Sequence, residues 1–369
     1  MQTYTIELWD GPVCDQKRNG RCWIYASLNP IRQKLCERYQ LENFEFSTNY
    51  IFFYDQFRKS EDFLDRIIEL REAPLDDPSL SELLRQPIAS VGQWCYFGSL
   101  AKKHGLVPLE AMPDTDSTVD GSRLTALLSN RLRMGAKELR SCDIEEIEKL
   151  RDHILSDIQA LLRCCLGTPP ASFSWSGETL TPHAFMADNC AYSPDDYLML
   201  IHHPSARWPC PALYHELANP AKQDPFLRLL SVDMETMKAL ALRQLFDGEQ
   251  VVVGVDVRKQ SSRSQGILDT KLTPLDTLDK ADAIVYREIN ACHVMSLDGV
   301  QLSEAGVPLC WKVQDSHGME TGSDGHYRMT DAWFESYVLN ATVKKCYLSP
   351  DFLALLDKPP VYMPKEERF

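Results

Sequence analysis

The side chain of Cys22 has the type and the position that a thiol nucleophile requires. It begins a run of residues, 22–39, whose apolar side chains recur with helical spacing. The positive end of a helix dipole favours a thiolate at that position, and the thiolate is the reactive form of cysteine. The alternative interpretation is a small buried thiol, because cysteine is among the most buried residue types.

A thiol nucleophile also needs a base, a group that orients the base, and donors for the oxyanion. His293 lies on one predicted strand and Asp315 on the next, so two paired strands would bring imidazole and carboxylate together. Gln16 precedes Cys22 in the chain, and its side-chain amide could donate to an oxyanion together with the backbone N–H of Cys22. Taken singly, each of these residues is more often structural. Their combination indicates nucleophilic catalysis.

Composition limits the kinds of partner that the protein can have and indicates its cellular compartment. The chain of 369 residues has a net charge of −14, which disfavours a nucleic-acid partner. Its apolar runs are too short to span a bilayer and its first residues lack a signal-peptide pattern, so no membrane partner is expected. The 12 cysteines are dispersed without a C-x-x-C pair, which predicts a reducing, cytoplasmic setting. His202 and His203 lack further ligands at metal spacing, and neither a metal nor another cofactor is expected.

Apolar periodicity predicts a helical first part and a strand-rich second part. Besides 22–39, helices are expected at 48–72, 80–86 and 93–105, with two more within 120–165 that separate near Gly135. Strands are expected at 251–257, 291–302 and 310–318. A helical half followed by a strand-rich half indicates an α+β protein.

The stretch QKRNGRCW, residues 16–23, resembles the nucleophile segment of the papain-like cysteine peptidases. It is most similar to the bleomycin hydrolase and aminopeptidase C branch, whose pattern is met by Gln16, Gly20, Arg21, Cys22, Trp23, Ala26, Leu28, Asn29 and Arg32. The resemblance continues along nearly the whole chain, through 92–115, 166–175, 180–185, 197–204, 251–270 and 324–338. The roles that it implies are nucleophile for Cys22, general base for His293, oxyanion donor for Gln16 and imidazole orientation for Asp315.

The sequence departs from this family around the expected site. Asp315 stands where the family has asparagine and His317 replaces a tryptophan, so that an N-S-W-G motif becomes DSHG. A charged orienting residue raises the pKa of the imidazole but is costlier to bury. Val91 replaces the first of two glycines that lie against the bound peptide in the family, so its side chain would narrow the cleft. By the resemblance, Val91, Gly92 and Trp23 are the substrate-binding residues.

The two chain ends also differ from the family pattern. Only 15 residues precede Gln16, whereas family members carry a longer N-terminal arm that contributes to a hexamer, so homo-oligomer formation is an open expectation. In the family the C-terminal tail reaches into the cleft, where its carboxylate holds the amino group of the substrate. The tail here, VYMPKEERF over 361–369, is shorter and ends differently.

We therefore expect a single papain-like catalytic unit over 1–369, with an α+β, two-lobed fold and helical insertions. A mainly helical lobe, 16–165, would carry the nucleophile, and a strand-rich lobe, 166–369, would carry the base. The expected function is a cysteine peptidase or amidohydrolase, by resemblance an aminopeptidase on short peptides, that passes through a thioester. Two alternatives stay open: an acyltransferase or amide ligase that resolves the thioester with an amine, and a non-catalytic scaffold.

Overall fold

The computed structural model describes residues 3–8, 11–89, 92–216, 224–274 and 277–362. Its helices, in chain order, are α1 (Cys22–Tyr39), α2 (Thr48–Glu69), α3 (Pro78–Arg85), α4 (Trp94–His104), α5 (Asp116–Val119), α6 (Ser122–Ser141), α7 (Ile147–Leu166), α8 (Pro182–Ala184), α9 (Met234–Phe246), α10 (Lys280–Val285), α11 (Asp331–Tyr337) and α12 (Pro350–Leu356). The helices predicted at 22–39, 48–72, 80–86 and 93–105 correspond to α1–α4 and are confirmed.

Strands from both ends of the chain join one sheet. The strands are β1 (Ile6–Glu7), β2 (Phe173–Trp175), β3 (Glu178–Leu180), β4 (Tyr197–Ile201), β5 (Ala212–His215), β6 (Arg228–Ser231), β7 (Val251–Val255), β8 (Ser261–Ser262), β9 (Ile267–Leu268), β10 (His293–Leu302), β11 (Pro308–Gln314), β12 (His326–Thr330), β13 (Val338–Lys344) and β14 (Val361–Tyr362). Within the described ranges, twelve of them form a sheet with the order β14-β5-β6-β4-β13-β7-β10-β11-β12-β9-β8, and β1 pairs with β10. Strand β1 was not predicted, since two residues are too few for a periodic pattern.

Apolar side chains cover both faces of this sheet. Along β4, Tyr197, Met199 and Ile201 belong to the apolar cluster formed with α1, α2, α4, α6 and α7. The intervening Leu198 and Leu200 belong to a second cluster, formed with α9 and α11. Since successive side chains of a strand point to opposite faces, the sheet lies between two helical layers.

Helix α1 is held against β10 by buried polar contacts. The Ser296 hydroxyl donates to the backbone carbonyl of Ala26 at 3.0 Å, and the Asn29 amide donates to the Ser296 hydroxyl at 3.3 Å. All three residues are buried. Because Ala26 is in the first turns of α1 and Ser296 is near the start of β10, these contacts place the first residues of both elements side by side.

The helix break predicted near Gly135 is wrong. Helix α6 runs through Gly135 to Ser141, and α7 begins at Ile147. A Cβ atom on Gly135 would lie 2.9 Å from the Cδ1 atom of Ile154 on α7. The glycine therefore permits close packing of two helices, and it does not mark a turn.

Strands β10 and β11 are antiparallel neighbours, with Ser296 opposite Gln314. His293 is the first residue of β10 and Asp315 directly follows β11, so both lie at the same end of the pair. The prediction that the strand continues to residue 318 is wrong. Beyond Asp315 the chain pairs with the N-terminal segment instead: the backbone N–H of Gln16 donates to the carbonyl of Ser316 at 2.7 Å.

The mixed architecture confirms the predicted α+β class. In the described ranges α1–α7 precede residue 167, and the strands other than β1 follow it. The assignment of 16–165 and 166–369 to two lobes of one unit stays a prediction. None of the helices in the described part of the chain combines the length and the apolar character needed to cross a membrane.

Candidate active site

The Cys22 thiol lies at the N-terminal end of α1 and contacts the imidazole of His293. Burial by itself raises the pKa of this thiol. The hydrogen bond and the charge of His293, with the backbone N–H groups of Val294 and Trp23, outweigh burial and bring the pKa of Cys22 below its usual range. Helix α1 adds the positive end of its dipole at the same atom. These contacts therefore stabilise the thiolate, which is the reactive form of cysteine.

His293 bridges the thiol and a carboxylate. Its Nε2 atom lies 2.7 Å from the Oδ1 atom of Asp315, and both side chains are buried. Burial alone lowers the pKa of His293, but the contacts with Asp315 and Cys22 raise it to about 10. His293 is thus protonated at neutral pH, and its charge stabilises the thiolate of Cys22 beside it.

The carboxylate of Asp315 determines that Nε2 of His293 carries the hydrogen between the two side chains. Burial raises the pKa of Asp315, but hydrogen bonds from His293 and His317 hold it well below the usual range, so the side chain is ionised. An ionised carboxylate can only accept, so Nε2 must carry a hydrogen. This leaves Nδ1 of His293 to exchange a proton with the thiol of Cys22, which is the arrangement a general base requires.

His317 contacts the other oxygen of the same carboxylate. Its Nδ1 atom lies 2.9 Å from Oδ2 of Asp315, and its ring centroid is 5.4 Å from that of His293. One ligand atom each from His293, Asp315 and His317 lies within 4.8 Å of the others, so this group could also hold a metal ion. The two N–H···O hydrogen bonds already account for the closeness of the three side chains.

Gln16 is oriented by the segment that follows Asp315. The side-chain oxygen of Gln16 accepts a hydrogen bond from the Ser316 hydroxyl at 2.6 Å, and Gln16 is buried. Because its oxygen is engaged, its amide nitrogen is the end of the side chain that can donate to another group. Sequence reasoning missed Ser316, and the only signal for it was its place directly after Asp315.

The expected substrate-binding residues are only partly described. The ring of Trp23 is buried and lies against Gly92, where an added Cβ atom would come 2.2 Å from Cε2 of Trp23. Glycine at 92 therefore lets the backbone lie directly on the indole. Val91 lies outside the described residues, so its effect on the cleft stays a prediction.

Comparison with known proteins finds relatives that match this chain over nearly its whole length. A family model described as Peptidase C1-like matches residues 1–367. An aminopeptidase C from Lactobacillus delbrueckii subsp. lactis is 31% identical over 379 residues, covering 96% of this chain and 84% of the relative. An aminopeptidase C from Streptococcus thermophilus is 32% identical over 380 residues, covering 97% and 85%. The crystal structure of PepW from Lactobacillus rhamnosis HN001 has a TM-score of 0.92 and 34% identity, and the match covers 100% of this chain and 88% of that chain.

The fold is that of a papain-like cysteine peptidase, as the resemblance implied. The chain belongs to the Peptidase C1-like family, and it is a cysteine peptidase.

Proposed function

We propose that the protein is an aminopeptidase that acts on short peptides through a thioester on Cys22. The observation that carries this proposal is the unbroken contact from the Cys22 thiol, through His293, to the carboxylate of Asp315. The directions of the three pKa shifts agree with one another, since each charged group stabilises its neighbour. The name of the relatives, aminopeptidase C, supports removal of residues from the amino end.

In the first half-reaction the Cys22 thiolate attacks the carbonyl carbon of the scissile peptide bond. The oxyanion that forms accepts hydrogen bonds from the Gln16 amide and the backbone N–H of Cys22. His293 gives its Nδ1 proton to the departing amine, the C–N bond breaks, and a thioester remains.

In the second half-reaction water attacks the thioester. Neutral His293 takes a proton from the water, and the carbon–sulfur bond of the tetrahedral intermediate then breaks. The products are a free carboxylic acid, the Cys22 thiolate and protonated His293, so the starting state is restored. The Asp315 carboxylate stays ionised throughout and stabilises the imidazolium.

Recognition of the amino group of the substrate rests on the resemblance. The segment that it assigns to this role, 363–369, lies outside the described residues. The chain leads to it through β14, which pairs in parallel with β5 at Tyr214 and His215. We include in the proposal that the terminal carboxylate of this tail meets the substrate amine.

The setting and the assembly are further parts of the proposal. All twelve cysteines lie in the described part of the chain and none of them forms a disulfide, which supports a reducing, cytoplasmic location. Cys164, Cys210, Cys292 and Cys346 are exposed. A homo-oligomer is expected from the family resemblance alone, and gel filtration with light scattering would measure it.

The proposal is tested by incubating the full chain with a mixture of free and N-acetylated peptides and identifying the products by mass. We expect stepwise loss of amino-terminal residues from the free peptides. Cys22→Ala should abolish the products, whereas Cys346→Ala, at an exposed position away from the site, should retain them. Products that carry an added amine would indicate an acyltransferase instead, and full activity of Cys22→Ala would overturn the proposal.

A further inference from the structure

Both oxygens of the Asp315 carboxylate are engaged by imidazole rings. Oδ1 accepts from Nε2 of His293 at 2.7 Å, and Oδ2 accepts from Nδ1 of His317 at 2.9 Å. Only 3% of the Asp315 side chain is exposed. An ionised carboxylate at such depth is costly unless donors replace the water that it has lost.

The backbone around His317 is held by contacts on both sides. The Gln16 N–H donates to the carbonyl of Ser316 at 2.7 Å, and the Gly318 N–H donates to the carbonyl of Cys14 at 3.1 Å. The Thr321 hydroxyl donates to the carbonyl of His317 itself at 3.3 Å. The ring is 26% exposed, so it lies between the buried Asp315 carboxylate and solvent.

Other titratable groups near His317 do not donate a hydrogen bond to Oδ2 of Asp315. Asp15, which forms a β-bridge with His317, is ion-paired with Lys17 at 2.6 Å. Burial, together with the charge of Asp315, raises the pKa of Tyr327 to about 12, while Arg263 opposes that rise. Among the described residues, His317 is the one side chain besides His293 that donates to this carboxylate.

We propose that His317 is a positioning residue of the active site: its Nδ1–H holds the second oxygen of Asp315 and thereby keeps the first oxygen on His293. This inference rests on the proposed function, in which Asp315 orients the catalytic base. The N–H is present both in the neutral ring protonated at Nδ1 and in the imidazolium, so His317 donates in either charge state. His317 touches neither the substrate nor the reacting thiol in this role.

Loss of the His317 donor should lower the reactivity of the Cys22 thiol, because contacts through Asp315 and His293 connect the two residues. Without it, the buried anion of Asp315 is less stable and is free to turn away from His293. A weaker Asp315 contact stabilises the imidazolium of His293 less, and the imidazolium in turn favours the Cys22 thiolate less. The rate at which Cys22 reacts with an alkylating agent at acidic pH therefore reports on the contact between His317 and Asp315.

The test measures alkylation of Cys22 by iodoacetamide from pH 5 to pH 9 in the full chain without substrate, quantified by peptide mass. His317→Asn keeps an N–H at the same number of bonds from Cα, whereas His317→Phe keeps a flat ring without a donor. We expect His317→Phe to react about tenfold more slowly at pH 6, and His317→Asn to stay within about threefold of the natural protein. Thermal unfolding of each variant shows whether it is folded, and His317→Ala takes the place of a variant that is not.

A double substitution separates positioning from packing. In an Asp315→Asn background the neutral amide has little need of the second N–H, so adding His317→Phe should slow alkylation by less than about threefold. Unchanged rates in His317→Phe, equally slow rates in the Phe and Asn variants, or fully additive effects would each overturn the inference. If Cys22 of the natural protein reacts no faster than the exposed Cys346, the proposed function itself is contradicted, which is a distinct outcome.

Discussion

The Ser316 hydroxyl donates to the side-chain oxygen of Gln16 at 2.6 Å, although 300 positions of sequence separate the two residues. This contact joins the segment that leads to Cys22 with the segment that carries Asp315. Because it engages the oxygen of Gln16, it leaves the amide nitrogen to serve a reacting group. The residues proposed as oxyanion donor and as orienting group for the base, Gln16 and Asp315, are therefore held by the same short stretch of chain.

Gln16→Ala tests the oxyanion donor. We expect kcat to fall by about 100- to 1,000-fold with little change in KM, because the lost hydrogen bond forms with the oxyanion. Alkylation of Cys22 by iodoacetamide passes through no oxyanion, so its rate should stay close to that of the natural protein. Ser316→Ala, which keeps the amide but not its orientation, should lose less activity. A Gln16→Ala variant with unchanged kcat would contradict this role.

Cys22 should be the most reactive thiol of the protein at mildly acidic pH. Its pKa lies below the usual range, whereas burial raises the pKa of Cys14 to about 11, and partial desolvation with the nearby charge of Asp256 raises the pKa of Cys292. Iodoacetamide at pH 6 should therefore modify Cys22 first, with activity lost in proportion to modification at this one position. Peptide mass mapping at short times measures this, with the exposed Cys346 as internal reference. Equal labelling of Cys22 and Cys346 would argue against a thiolate at this site.

Asp315→Asn should shift the alkaline limb of the pH–rate profile. The pKa of His293 is raised to about 10, and the active pair of thiolate and imidazolium is lost as pH rises through that value. Removal of the carboxylate charge lowers the pKa of His293, so kcat/KM should begin to fall about one pH unit or more below its natural limit. Asparagine still accepts from Nε2, so Asp315→Ala should lose more activity than Asp315→Asn. The exposed Asp351, changed to asparagine, provides the control.

An unchanged profile in Asp315→Asn would show that the carboxylate does not act on the imidazole in solution. A profile that shifts equally in Asp351→Asn would trace the effect to net charge instead of the contact with His293.

Gly92→Ala should destabilise the protein because its Cβ atom would come 2.2 Å from Cε2 of the buried Trp23. Overpacking of this kind costs about 1–3 kcal/mol, measured as a lower midpoint of urea unfolding at unchanged slope. The matched control is Gly121→Ala, since the nearest atom to its added Cβ lies 4.0 Å away. Equal midpoints for the two variants would contradict the close approach of Gly92 to the indole.

Removal of residues 363–369 tests the source of amino-end specificity. A charge-assisted contact between the terminal carboxylate and the substrate amine is worth about 1.5–3 kcal/mol, or a preference of about ten- to a hundredfold for free over N-acetylated substrates. The truncated chain should lose this preference and cleave internal bonds, while alkylation of Cys22 stays fast. If the intact protein already treats both substrates equally, the tail does not gate the site.

Local sequence patterns determined a large part of this architecture. The apolar spacing from Cys22 to Tyr39 predicted α1 with its observed bounds, because every turn of that helix meets the core. Residue type and order were enough to single out Gln16, Cys22, His293 and Asp315 as candidates. Their roles stay proposals, but the structure joins the side chains of Cys22, His293 and Asp315 by direct contacts. Gln16 is held by Ser316, the residue directly after Asp315.

Contacts between distant segments were decided by the tertiary structure alone. Gly135 was mistaken for a break because sequence does not show that Ile154 packs on it, and β1 was missed because only its partner β10 makes two residues a strand. The tertiary structure alone also decided the second hydrogen bond on Asp315 and the directions of the pKa shifts. Helical periodicity records which side of a segment is buried, and this is a local property. Burial depth and hydrogen-bond partners depend on where the whole chain places the other segments, so no local pattern contains them.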